Sequence, residues 1–259
     1  TTPIASAQNI TVYLDGSGNA SITAADIDNG SSDNCSSISL SASQTAFTCA
    51  DIGTNTITLT VTDGSSNSST AISTVTVADT TPPIASAQNI TVYLDGSGNA
   101  SITAADIDNG SSDNCSSISL SAGQTAFTCA DIGTNSVTLT VTDGSSNNAA
   151  AVSTVTVADT TTPIASAQNI TVYLDGSGNA SITAADIDNG STDNCGTPSL
   201  SASQTAFTCA DIGANSVTLT VTDGGSNSST AVSTVTVADT TPPIASAQNI
   251  TVYLDGSGN

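Results

Sequence analysis

Lysine, arginine and histidine are wholly absent from the 259 residues, as are glutamate, methionine and tryptophan, while 22 aspartates leave a formal charge of −22 with no side-chain cation to balance it. Without Lys or Arg there is no clamp for phosphate and no counter-charge for a nucleic-acid backbone, and the acidic surface repels polyanions and anionic lipid. Nucleic acid is excluded as a partner. Without His, or a Lys of lowered pKa, the usual neutral-pH general bases are missing, together with Schiff-base chemistry and His-containing zinc sites or triads. A turn such as Asp63-Gly64-Ser65 offers a hydroxyl with no base beside it and is not the Asp-Thr/Ser-Gly of an aspartic protease. The chain is not expected to be an enzyme. The lack of Lys also forbids Lys–Asn isopeptide cross-links. Aromatics make up 3% and are Tyr and Phe alone, so any core is aliphatic and thin. High net charge favours disorder, but a 37% hydrophobic fraction rich in Val and Ile argues that the chain folds.

What is present is a repeat. Thr1-Thr2-Pro3-Ile4-Ala5-Ser6-Ala7-Gln8-Asn9 returns as Thr81-Pro82-Pro83-Ile84, Thr161-Thr162-Pro163-Ile164 and Thr241-Pro242-Pro243-Ile244, a period of 80 residues. That is too long for a solenoid unit and suits a small sandwich domain. The expected modules are 1–80, 81–160 and 161–240, with 241–259 as the start of a truncated fourth. The alternative phase starts modules at residue 20. The first phase is preferred because Asp79-Thr80-Thr81-Pro82-Pro83 reads as a short, stiff linker, since Pro fixes φ and holds its predecessor extended. With no initiating Met or signal peptide, and a last motif that breaks off at Asn259, the chain is expected to be a piece of a longer protein.

Within a module the pattern has period two. Ile10, Val12 and Leu14 alternate with Thr11 and Tyr13, and Ile57, Leu59 and Val61 alternate with Thr56, Thr58, Thr60 and Thr62. That places aliphatics on one face of a strand and hydroxyls on the other. Further strands are expected at Ala20–Ala24, Ser37–Ala42, Ala46–Cys49 and Thr70–Val77, the last with a bulge because Ile72 and Val75 differ in parity. Turn signals separate them at Asp15-Gly16-Ser17-Gly18, Asn29-Gly30, Asp51-Ile52-Gly53 and Asp63-Gly64-Ser65. No stretch has a helical stripe. The fold class expected is all-β: tandem immunoglobulin-like β-sandwich modules of about 80 residues, arranged as an extended rod.

Each module holds two cysteines, Cys35 and Cys49, Cys115 and Cys129, Cys195 and Cys209, always 14 residues apart. The simplest pairing is one disulfide inside each module, which would contribute roughly 3 kcal/mol by closing such a loop. Zinc binding is the weaker alternative, for want of close C-x-x-C spacing and of any His. Disulfides imply an oxidising compartment.

Asp79-Thr80-Thr81-Pro82-Pro83 opening a module, Ser32-Asp33-Asn34-Cys35, Phe47-Thr48-Cys49-Ala50-Asp51-Ile52-Gly53 and Val61-Thr62-Asp63-Gly64 with Asn67 following resemble the hyalin-repeat (HYR-like) modules. More closely, they are similar to tandem repeats of large Bacteroidota surface adhesins, including those of flavobacterial gliding motility. The resemblance covers the whole chain. It implies an Ig-like fold, secretion to a bacterial cell surface, and a role in stalks, filaments or adhesins. The Asp63-Gly64-Ser65-Ser66-Asn67 turn and the absence of Lys and Arg depart from the usual family pattern.

Each full module carries seven Asp, in the first at 15, 26, 28, 33, 51, 63 and 79. Uncompensated carboxylates repel one another, and a hard oxygen-seeking cation such as Ca2+ relieves the repulsion. Candidate ligands are Asp15, Asp26, Asp28, Asp33 and Asp79, then Asp95, Asp106, Asp108, Asp113 and Asp159, then Asp175, Asp186, Asp188, Asp193 and Asp239. The competing reading makes them turn formers and solvated loop charges. Thr80, Thr160 and Thr240, each after Asp, resemble the Asp-Thr/Ser acceptor of Bacteroidota O-glycosylation, and Asn9-Ile10-Thr11 and Asn19-Ala20-Ser21 fit the N-linked sequon.

The function expected is the structural repeat region of an extracellular adhesin, stalk or filament that extends from a bacterial surface and supports adhesion or gliding. An alternative is an array of weak Ca-dependent carbohydrate- or surface-binding modules acting by avidity; a lesser one is an ice-binding surface built on the Thr rows. Expected partners are neighbouring repeats and other copies in a fibre, with any surface or glycan ligand bound outside this segment. No stretch of the sequence reads as a membrane span.

Overall fold

The computed structural model describes residues 1–35, 37–115 and 117–259. Six strands occur three times over at the 80-residue period. The first set is β1 (Ile10–Tyr13), β2 (Asn19–Ser21), β3 (Ser39–Ala42), β4 (Ala46–Thr48), β5 (Gly53–Thr62) and β6 (Ser68–Ala78). The second is β7 (Ile90–Tyr93), β8 (Asn99–Ser101), β9 (Ser119–Ala122), β10 (Ala126–Thr128), β11 (Gly133–Thr142) and β12 (Asn148–Ala158). The third is β13 (Ile170–Tyr173), β14 (Asn179–Ser181), β15 (Ser199–Ala202), β16 (Ala206–Thr208), β17 (Gly213–Thr222) and β18 (Ser228–Ala238). The architecture is all-β: three repeated, immunoglobulin-like sandwiches. The chain falls into two compact units, Thr1–Tyr93 with Asn99–Ala158, holding β1 to β12, and Leu94–Gly98 with Asp159–Asn259, holding β13 to β18.

In each set the larger sheet runs in the order β1-β6-β5-β3, with β1 parallel to β6 and the other pairs antiparallel. β2 pairs with β4 in a second, two-stranded sheet, and isolated bridges join Ile4 to Ser32 and Ala7 to Asp28. Alternation decides the faces. Ile57, Leu59 and Val61 of β5 and Val75 and Val77 of β6 point inward with Phe47, Ile22, Ile27 and Leu14. Each such side chain withdrawn from water contributes roughly 1.5–3 kcal/mol. The outward face carries cross-strand pairs such as Thr56–Thr74 and Thr60–Thr70, a solvated hydroxyl surface of the kind β-branched polar residues favour.

The β5–β6 ladder is continuous, so the expected bulge between Ile72 and Val75 is absent. The parity conflict is resolved at Ser73 instead. Ile72 turns out to solvent, while Ser73 takes the inward position, fully buried, its hydroxyl donating to the Gln8 carbonyl at 2.7 Å. That bond supplies the partner a buried hydroxyl requires and ties β6 to the segment before β1. Among the described residues helical structure is confined to short turns, such as α1 (Ala104–Ile107) and the 3-10 turn Cys49–Asp51. Among the described residues no helix is long and apolar enough to cross a membrane. Residues 243–259 repeat 3–19 letter for letter but form no strand; Leu254 is 69% exposed where Leu14 is 4% exposed.

Candidate metal centre

Val75 and Val77 fill the core, and two residues on, in the same parity, stands Asp79; Val137, Leu139 and Val141 of β11 are followed in the same way by Asp143. Inward-facing rows that end in a carboxylate carry charge to the end of the sandwich. In the first unit Asp79 and Asp143 meet Asp113, which lies in the loop before Cys115. One carboxylate oxygen from each lies within 4.8 Å of the others. Asp79 and Asp143 are 6% and 7% exposed. Asp159, Asp193 and Asp223 form the same cluster in the second unit.

The surrounding bonds aim these groups without neutralising them. Asp143 accepts backbone N–H groups from Ser145 (2.9 Å) and Asn147 (2.8 Å), and its other oxygen accepts the Asn147 amide at 2.8 Å. The same amide donates to the Asp79 carbonyl at 3.2 Å, so one side chain clasps two members of the cluster. Asn227 does this for Asp223 (2.9 Å) and the Asp159 carbonyl (3.0 Å). Asp113 accepts the Cys115 N–H through Oδ2, whereas its Oδ1 is buried without a hydrogen-bond partner. Asp159, nine-tenths buried, likewise has a buried Oδ2 with no partner. Three carboxylates at such spacing repel by roughly 3 kcal/mol per pair at an effective dielectric near 20, and the chain has no Lys, Arg or His to answer them. Three carboxylates that bring an oxygen each within 4.8 Å of the others, with Asp113 Oδ1 and Asp159 Oδ2 left without a hydrogen-bond partner, are a donor set suited to a hard divalent cation; Ca2+ accepts six to eight oxygens in flexible geometry.

The cluster takes Asp79, Asp113, Asp159 and Asp193 from the expected ligands and adds Asp143 and Asp223, which the sequence reading left as turn residues. The signal for the missed pair is the inward parity shared with Val137, Leu139 and Val141. The other candidates serve the backbone. Asp15 accepts from Ser17 and Asn19, Asp26 caps Thr23, and Asp28 accepts from Gly30 and Ser31. Their counterparts repeat this: Asp95 accepts from Ser97, Asp106 from Thr103, Asp108 from Ser111, Asp175 from Ser177, Asp186 from Thr183 and Asp188 from Ser191. Asp33 accepts the Cys35 N–H, and Asp239 is exposed. The N–H of Asn19, then of Ser17, holds the Asp15 carboxyl below its ordinary pKa, and Thr23 does the same to Asp26.

The cysteines require a correction. Cys49 is bonded to Cys115, 66 residues away, and Cys35 is an exposed free thiol, so the expected Cys35–Cys49 bridge inside the module is not formed; Cys209 is likewise free and exposed. Cys129 and Cys195 are in disulfides. The reason is position. Cys49 stands beside the Gly18 turn, its Sγ 3.6 Å from the Gly18 carbonyl, and Asn114 reaches the same turn by donating to the Asp15 carbonyl at 3.0 Å. The loop carrying Asn114 therefore delivers Cys115 to Cys49. Gly18, at φ +74°, leaves room for both: a Cβ there would lie 2.4 Å from Cys49 Sγ and 3.1 Å from the Asn114 carbonyl. Thr80, Thr160 and Thr240 are exposed.

No protein-family model matches the chain, and no curated protein matches it. Among solved structures it is similar to the I-band fragment I67-I69 from titin, at 9% identity and TM-score 0.45, covering 92% of this chain and 99% of that one. It is also similar to PcdhgB3 EC1-4 (13% identity, TM-score 0.36, 93% of this chain and 76% of that) and to mouse Cadherin-23 EC22-24 (12%, 0.36, 92% and 99%).

Proposed function

We propose that the chain is a non-catalytic, structural repeat region of an extracellular stalk or filament, of the hyalin-repeat-like adhesin type borne by Bacteroidota, with divalent cations, Ca2+ foremost, bound at its two aspartate clusters. One observation carries this reading: in the first unit the same junction bears both a covalent tie, Cys49–Cys115, and the Asp79–Asp113–Asp143 cluster. Both devices tie the first sandwich to the second. The disulfides and the uniformly acidic composition suit a secreted protein.

The test is titration calorimetry with Ca2+ on the oxidised chain. Two cations per chain are expected, one for each cluster, and Asp143→Asn and Asp223→Asn should each remove one. At a hundredfold excess over the dissociation constant, each bound cation should stabilise the unit that holds it by about 2.7 kcal/mol. An unchanged melting temperature between Ca2+ and chelator overturns the cation half of the proposal. Immunogold labelling of native surface material addresses the other half: label along the shafts of filaments is expected, and label confined to their tips overturns it. The carbohydrate-array alternative is weakened by Phe47, which is buried, leaving Tyr13 as the exposed aromatic of the two; binding on a glycan array in Ca2+ would restore it.

A further inference from the structure

One short loop serves both the first aspartate cluster and the first disulfide. Asp113 brings a carboxylate oxygen to within 4.8 Å of those of Asp79 and Asp143, and Cys115, two residues on, is bonded to Cys49. The two are also tied directly, since the Cys115 N–H donates to Asp113 Oδ2 at 2.9 Å. Between them Asn114 donates to the Asp15 carbonyl at 3.0 Å. The Cys115 side chain is buried in the same apolar cluster as Leu14, Phe47 and Val77. The three aspartates are held in different ways. Asp79 and Asp143, each more than nine-tenths buried, directly follow β6 and β11 and share the Asn147 amide, which reaches the Asp79 carbonyl at 3.2 Å and an Asp143 oxygen at 2.8 Å. Asp113 stands between the Ile84–Ser112 bridge and β9, outside any ladder, so its place is set by the contacts of Asn114 and the bond from Cys115 to Cys49. Asp113 Oδ1 and Asn114 Oδ1 are buried without hydrogen-bond partners. The loop thus holds two acceptors withdrawn from water, an arrangement that calls for a positive partner, and the chain offers no side-chain cation.

From this shared loop we infer that the Cys49–Cys115 bond is the positioning device for Asp113, so that cation affinity at the first cluster depends on the redox state of the bond and, reciprocally, the bound cation protects the bond from reduction. The inference rests on the cation reading of the cluster and adds its regulation. With the bridge closed, Asp113 is already in place when the cation arrives. With the bridge open, ordering the loop is subtracted from the binding free energy. Opening requires a dithiol reductant. One of its thiolates attacks either cysteine sulfur and releases the other cysteine; its second thiolate then closes on the mixed disulfide and releases the attacked one. Two protons pass from the dithiol to the cysteines, so the bridge becomes two thiols and the dithiol a cyclic disulfide. Linkage requires the effect of the bridge on the cation and that of the cation on the bridge to be equal in size.

Two measurements on the full chain test this. Titration calorimetry with Ca2+ is run in the Asp223→Asn background, which leaves the first cluster as the site observed, with and without Cys49→Ala and Cys115→Ala together. Loss of the bridge should weaken binding about tenfold. Equal affinity overturns the inference and leaves the cation reading standing, whereas absence of Ca2+ binding with the bridge intact overturns that reading and the inference with it. The second measurement needs no cysteine variant. The wild-type chain is equilibrated with mixtures of reduced and oxidised dithiothreitol, and alkylated Cys115 is quantified by tandem mass spectrometry. The dithiol-to-disulfide ratio that half-reduces the bridge should rise about tenfold in saturating Ca2+ relative to chelator. Asp113→Asn should abolish the rise, and Asp223→Asn, in the other cluster, should preserve it. A ratio unmoved by Ca2+ in a chain that binds Ca2+ at this cluster, or a rise that survives Asp113→Asn, overturns the inference.

Discussion

Ser73 shows how a single side chain redirects a strand. From the pattern alone, Ile72 belongs in the core and a bulge must follow; the hydroxyl of Ser73, fully buried and bonded to the Gln8 carbonyl, makes the small polar residue the inward one. Ser73→Ala leaves that carbonyl without its donor and should cost roughly 1–3 kcal/mol, read as a lower midpoint in urea, whereas Ile72→Thr should change the midpoint little. Gly18 makes a second residue-scale prediction. A methyl group there meets Cys49 Sγ at 2.4 Å, and the backbone is left-handed. Gly18→Ala should therefore slow formation of the Cys49–Cys115 bond and lower the melting temperature, whereas Gly16→Ala, with nothing within 4 Å, should not.

At the scale of elements, the long strand β5 was legible because its apolar residues Ile57, Leu59 and Val61 keep strict period two, whereas β6 breaks that parity at Ile72. The ends of the inward rows were less so. Asp143 and Asp223 sit in turns whose Asp-Gly signal is itself sufficient to explain an aspartate, so turn chemistry masked the parity that puts them in the clusters. The disulfide was misread for a related reason: spacing along the chain favours the 14-residue loop, but the two cysteines of a module occupy positions that only the fold reveals. Joining residues 66 apart contributes about 4 kcal/mol in the chain-entropy model, so Cys49→Ser should lower stability by about that amount in denaturant titrations. Turn carboxylates predict a pH dependence. Donation by Thr48 N–H, foremost, holds Asp51 below its ordinary pKa, as similar donors hold Asp15 and Asp26. A depressed folded-state pKa stabilises above the unfolded value, near 3.9, and the contribution vanishes as pH falls through the folded one. Melting temperature in chelator should therefore fall as the pH drops below about 4, and Asp51→Asn should flatten part of that fall.

For the whole molecule, the absence of any basic side chain means that, the amino terminus apart, favourable charge interactions must come from backbone dipoles, amides and hydroxyls or ions in solution. In chelator, added NaCl should raise the melting temperature by screening self-repulsion, since the screening length falls to about 3 Å at 1 M; with the Asp clusters saturated by Ca2+ the same addition should raise it less. The number and type of modules were readable from the 80-residue period. The junction was not, because it is made from three segments distant in sequence.

In each sandwich the strand by which the chain enters, β1, lies alongside and parallel to the strand by which it leaves, β6, in the register Ile10–Val75 to Tyr13–Ala78. Tension along the chain therefore drags these neighbours in opposite senses along their common axis. The ladder hydrogen bonds between them meet that load together, in shear, and do not open one after another like a zip. A module wired this way resists traction with a patch of four residues on each strand, and an antiparallel pair in the same place would peel from one end.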